Sequence, residues 1–211
     1  IIKITDDVIS DWQDDLILDR NVIGEIAVKG PQVTKAYYAR QRATEMAKIF
    51  DADGGFYHRM GDTGYLDEQG RLWFCGRMTH RVFTNNETLF TIPCEGIFNT
   101  HPKVFRTALV GINTHDQTMP VICVELEQEF KNENQELITT ELLKLAAQFE
   151  QTKNIQHILF HSAFPVDIRH NAKIGREKLA PRAAQIDREA CNPLANYDDL
   201  RECEIHIMCV P

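Results

Sequence analysis

Apolar and polar positions alternate in short stretches through the first third of the chain, and the period lengthens only beyond it. The segments "IIKIT", "GEIAVKG" and "QVTKAYY" read as strands, with Ile26 and Val28 on one side of the second, because alternation sets every other side chain on one face. "ARQRATEMAKIF" reads as a helix. The glycine-opened loop "RMGDTG" then leads into "GYL" and "RLWFCGR", which flank "DEQG". Asp67 to Gly70 suits a type I turn whose closing glycine takes a positive φ, so a β-hairpin is expected there.

After Gly76 the pattern turns polar and irregular in "RMTHRVFTNNETLFTIP", with a turn at Asn85-Asn86, and a domain boundary is expected in this stretch. Beyond it come a helix, "PCEGIFNTH", the strands "VFRTALVGI" and "PVICVELE", a helix over "ELITTELLKLAAQFE", and a strand, "IQHILF". In the longer helix, Ile138, Leu142, Leu143, Leu145, Ala146 and Phe149 follow the spacing of one buried face. The expected fold class is α+β. The closing segment, "APRAAQIDREACNPLANYDDLRECEIHIMCVP", continues none of these patterns.

Composition narrows the function classes. At 211 residues, 43% hydrophobic and 26% charged, the chain is globular in composition. Its formal charge of -8 disfavours nucleic-acid binding, which needs a basic face to displace counterions. The apolar runs are too short for a transmembrane segment, and no charged-then-apolar leader opens the chain. Six cysteines, at positions 75, 94, 123, 191, 203 and 209, form no CxxC pair and read as reduced thiols of a cytoplasmic protein. Because position 1 is Ile and the first residues already read as a strand, the chain is expected to begin inside a fold.

Three segments carry candidate chemistry. Gly61 and Gly64 leave the backbone around Asp62 open, so its carboxylate could accept hydrogen bonds from a diol such as ribose; an Asp capping its own turn is the commoner use of such a residue. At Gly76-Arg77 a strand ends in a guanidinium fork suited to phosphate or ribose, although a strand-end arginine is usually solvated or paired. In "HNAKIGREKL", Lys173 and Arg176 would share one side of a turn and could meet an anion, or simply begin an amphipathic helix. His157 and His161 flank an apolar strand and read as core or surface residues rather than a metal pair. The chain shows no G-x-S-x-G elbow, Walker loop or G-x-G-x-x-G.

Taken in order, "GEIAVKGPQVTKAYY", "HRMGDTGYLDEQGRLWFCGR", "IPCEGIFNTHPKVFRTALVGI" and "NAKIGR" resemble the closing part of the adenylate-forming superfamily of acyl-CoA synthetases, peptide-synthetase adenylation domains and luciferases. Within it, "TIPCEGIFNTHPKVFR" and "FPVDIRHNAKIGREKL" are similar to the β-lactone synthetases of long-chain olefin biosynthesis. The resemblance implies that residues 1–77 end a large N-terminal domain, β-rich here and carrying the hairpin. It implies a small, mobile α+β lid at 78–180 and leaves 181–211 as a tail.

By the same resemblance Asp62 grips the ribose of ATP, Arg77 assists at ribose or phosphate, Thr79 stands at the hinge, and Lys173 is the lid lysine of adenylation. ATP with Mg2+ and a long-chain β-hydroxy acid are the implied ligands. The missing N-terminal part of the same protein, and other olefin-pathway enzymes, are the implied partners. The phosphate loop, adenine pocket and acyl tunnel would lie upstream of residue 1, so the isolated chain is expected to be inactive. A fatty acyl-CoA ligase and a non-catalytic lid-like module are the alternatives.

The sequence also departs from the superfamily. The positions two and six residues after Arg77, commonly Asp and Lys, hold Thr79 and Phe83; Tyr-Arg-Thr-Gly-Asp appears as His58-Arg59-Met60-Gly61-Asp62; and Gly-Lys becomes Ala172-Lys173. These departures favour intramolecular closure of a lactone over thioester formation.

Overall fold

The computed structural model describes residues 1–113, 118–167 and 170–181, with backbone alone at 170–172. It is a mixed α+β structure that divides into two compact units, one ending at Thr79 and the other beginning at His80. The tail beyond Pro181 lies outside the described residues, and with it Cys191, Cys203 and Cys209.

In the first unit, β1 (Gly24–Val28), β2 (Lys48–Phe50) and β4 (Leu72–Arg77) all pair antiparallel with the long β3 (Phe56–Leu66). β3 is therefore the axis of this sheet. The expected hairpin is present between β3 and β4. Gly70 N–H donates to the Asp67 carbonyl at 2.9 Å, and Gly70 has φ +76°, which a side chain would resist. The Asp67 carboxylate accepts from the Trp73 indole at 2.9 Å and from the Gln69 and Arg71 amides. The Trp73 bond, followed by those from Arg71, holds this carboxyl well below the usual range.

Three expectations for this unit need correction. "IIKIT" forms only single-residue bridges, from Ile2 to Ile17 and Glu25. "QVTKAYY" is no strand: it meets no facing strand among the described residues, Tyr38 is 98% exposed, and the buried Lys48 amine donates to the Thr34 carbonyl. The helix expected over 39–50 is shorter; α1 (Gln41–Ala47) gives way to β2, whose residues Lys48–Phe50 pair with β3. Pairing with an available strand overrides local helical preference here.

The second unit is built on a three-stranded sheet, β7 (Val104–Asn113), β8 (Thr118–Leu126) and β9 (His157–His161). β7 and β8 pair antiparallel, whereas β8 and β9 are parallel, joined through α3 (Gln135–Ala146) as a crossover. Both faces of the sheet are covered. Leu109, Ile122 and Val124 pack with Phe98 of α2 (Thr91–Phe98) and with Ile138, Leu142 and Ala146 of α3. The alternate residues Ala108, Val110, Val121 and Cys123 pack with Phe164 and Leu179.

The Asn134 carboxamide caps α3 by accepting from Glu136 N–H at 2.9 Å. This helix is shorter than expected: Leu143 and Leu145 are only half-buried, and Phe149, beyond the helix end, is 41% exposed. The stretch expected to be irregular holds a small hairpin, β5 (Val82–Phe83) and β6 (Thr88–Leu89), around the Asn85-Asn86 turn. A second two-stranded pair, β10 (Val166–Asp167) and β11 (His170–Ile174), leads to a helical turn at 176–181. Among the described residues no helix is long and apolar enough to cross a membrane.

Cys75, Cys94 and Cys123 are buried and free. Burial pushes the Cys75 thiol up to about 11, and those of Cys94 and Cys123 up to about 12. The thiolate is the reactive form, so at pH 8 all three should resist alkylation in the folded chain and react fully in denaturant. Peptide-resolved mass spectrometry checks this, and rapid native labelling of any of the three would contradict it.

Candidate functional site

Asp62 and Arg77 are cross-strand partners on β3 and β4. Asp62 therefore lies within a strand, not in the loop that its glycines suggest. Those glycines instead bend the strand: Gly61 has φ +65°, Gly76 has φ +114°, and the register slips between Thr63 and Gly64. Thr63, buried at the bend, donates its hydroxyl to the Gly76 carbonyl at 2.9 Å and so pins the two strands together.

Arg77 Nη1 stands 3.0 Å from Asp62 Oδ1 and donates to the Met60 carbonyl at 3.3 Å. The Asp62 side chain is 21% exposed against 58% for Arg77, so the carboxylate sits behind its partner. Oδ1 is shielded from water and receives no aligned hydrogen bond among the described residues, because Arg77 approaches it off the N–H axis. A shielded carboxylate oxygen with spare acceptor capacity suits the hydroxyls of a ribose.

This strand is held by an ion pair that sequence reasoning missed. Arg59 reaches Glu25 of β1 through Nη2 at 2.7 Å and Nε at 2.9 Å, with the side chains 3% and 1% exposed. It also donates to the carbonyls of Thr5, Asp7 and Met46. Arg59 thus ties β3 to β1 and to the first residues, three positions before Asp62. His58, three positions before Gly61 in the same run, has its Nδ1 3.1 Å from the Ala47 carbonyl, and burial pushes its pKa down. A single Glu among apolar neighbours, as in "IGEIAV", was the available signal of a buried pair.

Thr79 is exposed and falls in the 3-10 turn Met78–His80, at the last position of the first unit. Lys173 belongs to the second unit, on β11, where its side chain is exposed and has no ion-pair partner among the described residues. Lys173 and Arg176 do not share a helical turn as expected. Lys173 is on the strand, and Arg176 lies beyond Gly175 at the start of the terminal helical turn.

Arg176 instead meets Glu95 of α2, its Nη2 lying 2.7 Å from both carboxylate oxygens. Glu95 Oε1 also accepts the Leu109 N–H of β7 at 2.8 Å. Burial pushes the Glu95 carboxyl up, and Arg176 opposes that shift. A lone Glu inside "IPCEGIF" was again the missed signal.

The structure therefore brings Asp62 and Arg77 together and sets Lys173, exposed, on the other unit. One unit offers a shielded carboxylate beside a guanidinium; the other offers an exposed ammonium.

No protein-family model matches the chain. It is 50% identical over 189 residues to an olefin β-lactone synthetase of Xanthomonas campestris, covering 88% of this chain and 34% of that protein. To the olefin β-lactone synthetase of Stenotrophomonas maltophilia it is 47% identical over 196 residues, covering 90% of this chain and 35% of that protein. Among solved structures, the o-succinylbenzoate CoA synthetase of Bacillus subtilis in complex with its acyl-adenylate intermediate superposes with a TM-score of 0.63 at 25% identity, covering 81% of this chain and 33% of that one. The chain thus spans about a third of the length of the curated relatives it matches.

Proposed function

Because this chain belongs to the adenylate-forming superfamily and corresponds to its C-terminal part, we propose that the full-length protein is an ATP-dependent, AMP-forming ligase acting on a long-chain β-hydroxy acid. The carboxylate attacks the α-phosphate of ATP and expels pyrophosphate. The acid's own β-hydroxyl then displaces AMP and closes a β-lactone. The observation that carries this reading is the 50% identity to an olefin β-lactone synthetase across 88% of the chain.

Asp62 accepts hydrogen bonds from the ribose hydroxyls, and Arg77 assists at ribose or phosphate. Lys173 brings a positive charge to the oxygens on which charge builds during attack. Mg2+ would arrive on the nucleotide, and no residue of this chain is assigned to it. Thr79 is the hinge, a role supported by its place at the end of the first unit. The free, buried thiols fit a reducing cytoplasm, and other enzymes of an olefin pathway would take up the lactone.

If Asp62 holds the ribose, Asp62→Ala in the full-length protein should raise the KM for ATP about 10- to 100-fold, the loss of one or two hydrogen bonds to a charged group. An unchanged KM would remove Asp62 from the nucleotide site. The function itself is tested by supplying a 3-hydroxy fatty acid with ATP and Mg2+ while withholding CoA. AMP and a β-lactone are expected; turnover only with CoA, ending in a thioester, would contradict the lactone reading.

A further inference from the structure

We propose that the Glu95–Arg176 pair is a positioning device for Lys173, a strap around the open edge of the three-stranded sheet that fixes the strand carrying the lysine; this rests on the role given to Lys173 above. The β10–β11 pair is a separate two-stranded sheet, with no strand pairing to β7, β8 or β9 among the described residues. Strand pairing therefore does not set its place on the sheet face, and the nearest backbone tie to the sheet, Phe164 N–H to Glu125 Oε2 at 2.9 Å, lies before β10 and far along the chain from Lys173. Lys173 cannot set it either, since its side chain is exposed and makes no ion pair among the described residues.

Two anchors follow Lys173 directly. Ile174, with Val166 opposite it, packs on the apolar cluster around Val110, Cys123 and Phe164. Apolar contact holds the strand against the sheet but sets its lateral position poorly, because such contact is non-directional. Arg176 supplies direction. Its Nη2 lies 2.7 Å from both oxygens of Glu95, across 81 residues of sequence, with the two side chains 16% and 6% exposed.

Glu95 is itself fixed. It rides on α2, which covers one sheet face, and its Oε1 takes the Leu109 N–H at the unpaired edge of β7. The β10–β11 pair serves the opposite face, through Val166 and Ile174. The ion pair thus passes around the sheet edge and links the two covering layers three residues from the lysine. Between Lys173 and Arg176 the chain has little slack: Gly175 N–H donates to the Pro165 carbonyl at 2.8 Å, closing the hairpin on itself. Desolvation offsets much of a buried pair's Coulombic gain, so the role assigned to this one is geometric, and a misplacement of about 1 Å can slow a reaction about 100-fold.

The test uses the full-length protein and measures thermal midpoint, kcat for acyl-adenylate formation and KM for ATP. Arg176→Met strands a buried carboxylate and should lower both midpoint and kcat. Adding Glu95→Gln removes that charge while its amide oxygen still accepts from Leu109, so the double variant should recover the wild-type midpoint. Its kcat should stay about 10- to 100-fold down with KM for ATP unchanged.

Arg176→Lys keeps the charge and the fold but not the planar fork, and should also retain a lowered kcat. Wild-type kcat in either the double variant or Arg176→Lys, at a wild-type midpoint, would make the strap merely structural and overturn the proposal. A Lys173→Ala protein run alongside separates the two ideas. Unchanged kcat in it would remove the lysine's role, and the strap's with it; a large loss there beside wild-type kcat in the strap variants would sink the strap alone.

Discussion

Replacing Lys173 with alanine in the full-length protein is expected to slow acyl-adenylate formation about 100- to 1,000-fold, the usual effect of deleting one preorganised partner of transition-state charge. As a carboxylate attacks the α-phosphate, two anions merge and negative charge gathers on the oxygens between them. An ammonium aimed there favours the transition state over the ground state, which is what acceleration requires. Lys173 suits this because its side chain is exposed on β11 and, among the described residues, is committed to no ion pair. The same fact makes the experiment clean: no partner is stranded, so the unfolding free energy should stay within about 0.5 kcal/mol of wild type. Rapid-quench single turnovers read the chemical step, and an unchanged rate would take Lys173 out of catalysis.

The second large effect is on stability. Arg59→Met should destabilise the first unit by about 3–5 kcal/mol, the loss seen when one partner of a buried ion pair is removed. Glu25, 1% exposed, would be left buried without the guanidinium that pairs with it. The Thr5, Asp7 and Met46 carbonyls would lose their donor as well. Domains are held together by about 5–15 kcal/mol in total, so the shift should be a large part of this unit's stability. Both tryptophans of the chain, Trp12 and Trp73, lie in this unit, so their fluorescence reports its unfolding in urea. Glu25→Gln added to Arg59→Met should restore part of the loss. A urea midpoint equal to wild type in the single variant would contradict the account of this pair.

What the sequence showed and what it hid divide along a physical line. The hairpin at Asp67–Gly70 was legible because its turn demands particular residues at particular places, and β7, β8 and α3 because burial enforces a period. Residues 48–50 were misread because helical preference is local, whereas the strand they form depends on β3, which follows them in sequence. Asp62 was recognised as a candidate, but its setting in a bent strand was not, since the same glycines serve a loop or a bulge.

The two buried glutamates were the real omissions. Glu25 meets Arg59 from 34 residues away and Glu95 meets Arg176 from 81, and no local pattern encodes a partner at such distance. Each stood alone among apolar neighbours. That isolation is the readable trace of a buried pair, though it does not say with whom.

The central claim is that the full-length protein joins its acid to AMP through the residues set out here. The most direct measurement is ATP–pyrophosphate exchange with a 3-hydroxy fatty acid and no CoA, run on the full-length protein. Exchange that depends on the acid, and is lost in Lys173→Ala, is the predicted result. Its absence from the wild-type protein at saturating ATP, Mg2+ and acid would contradict acid activation by adenylation.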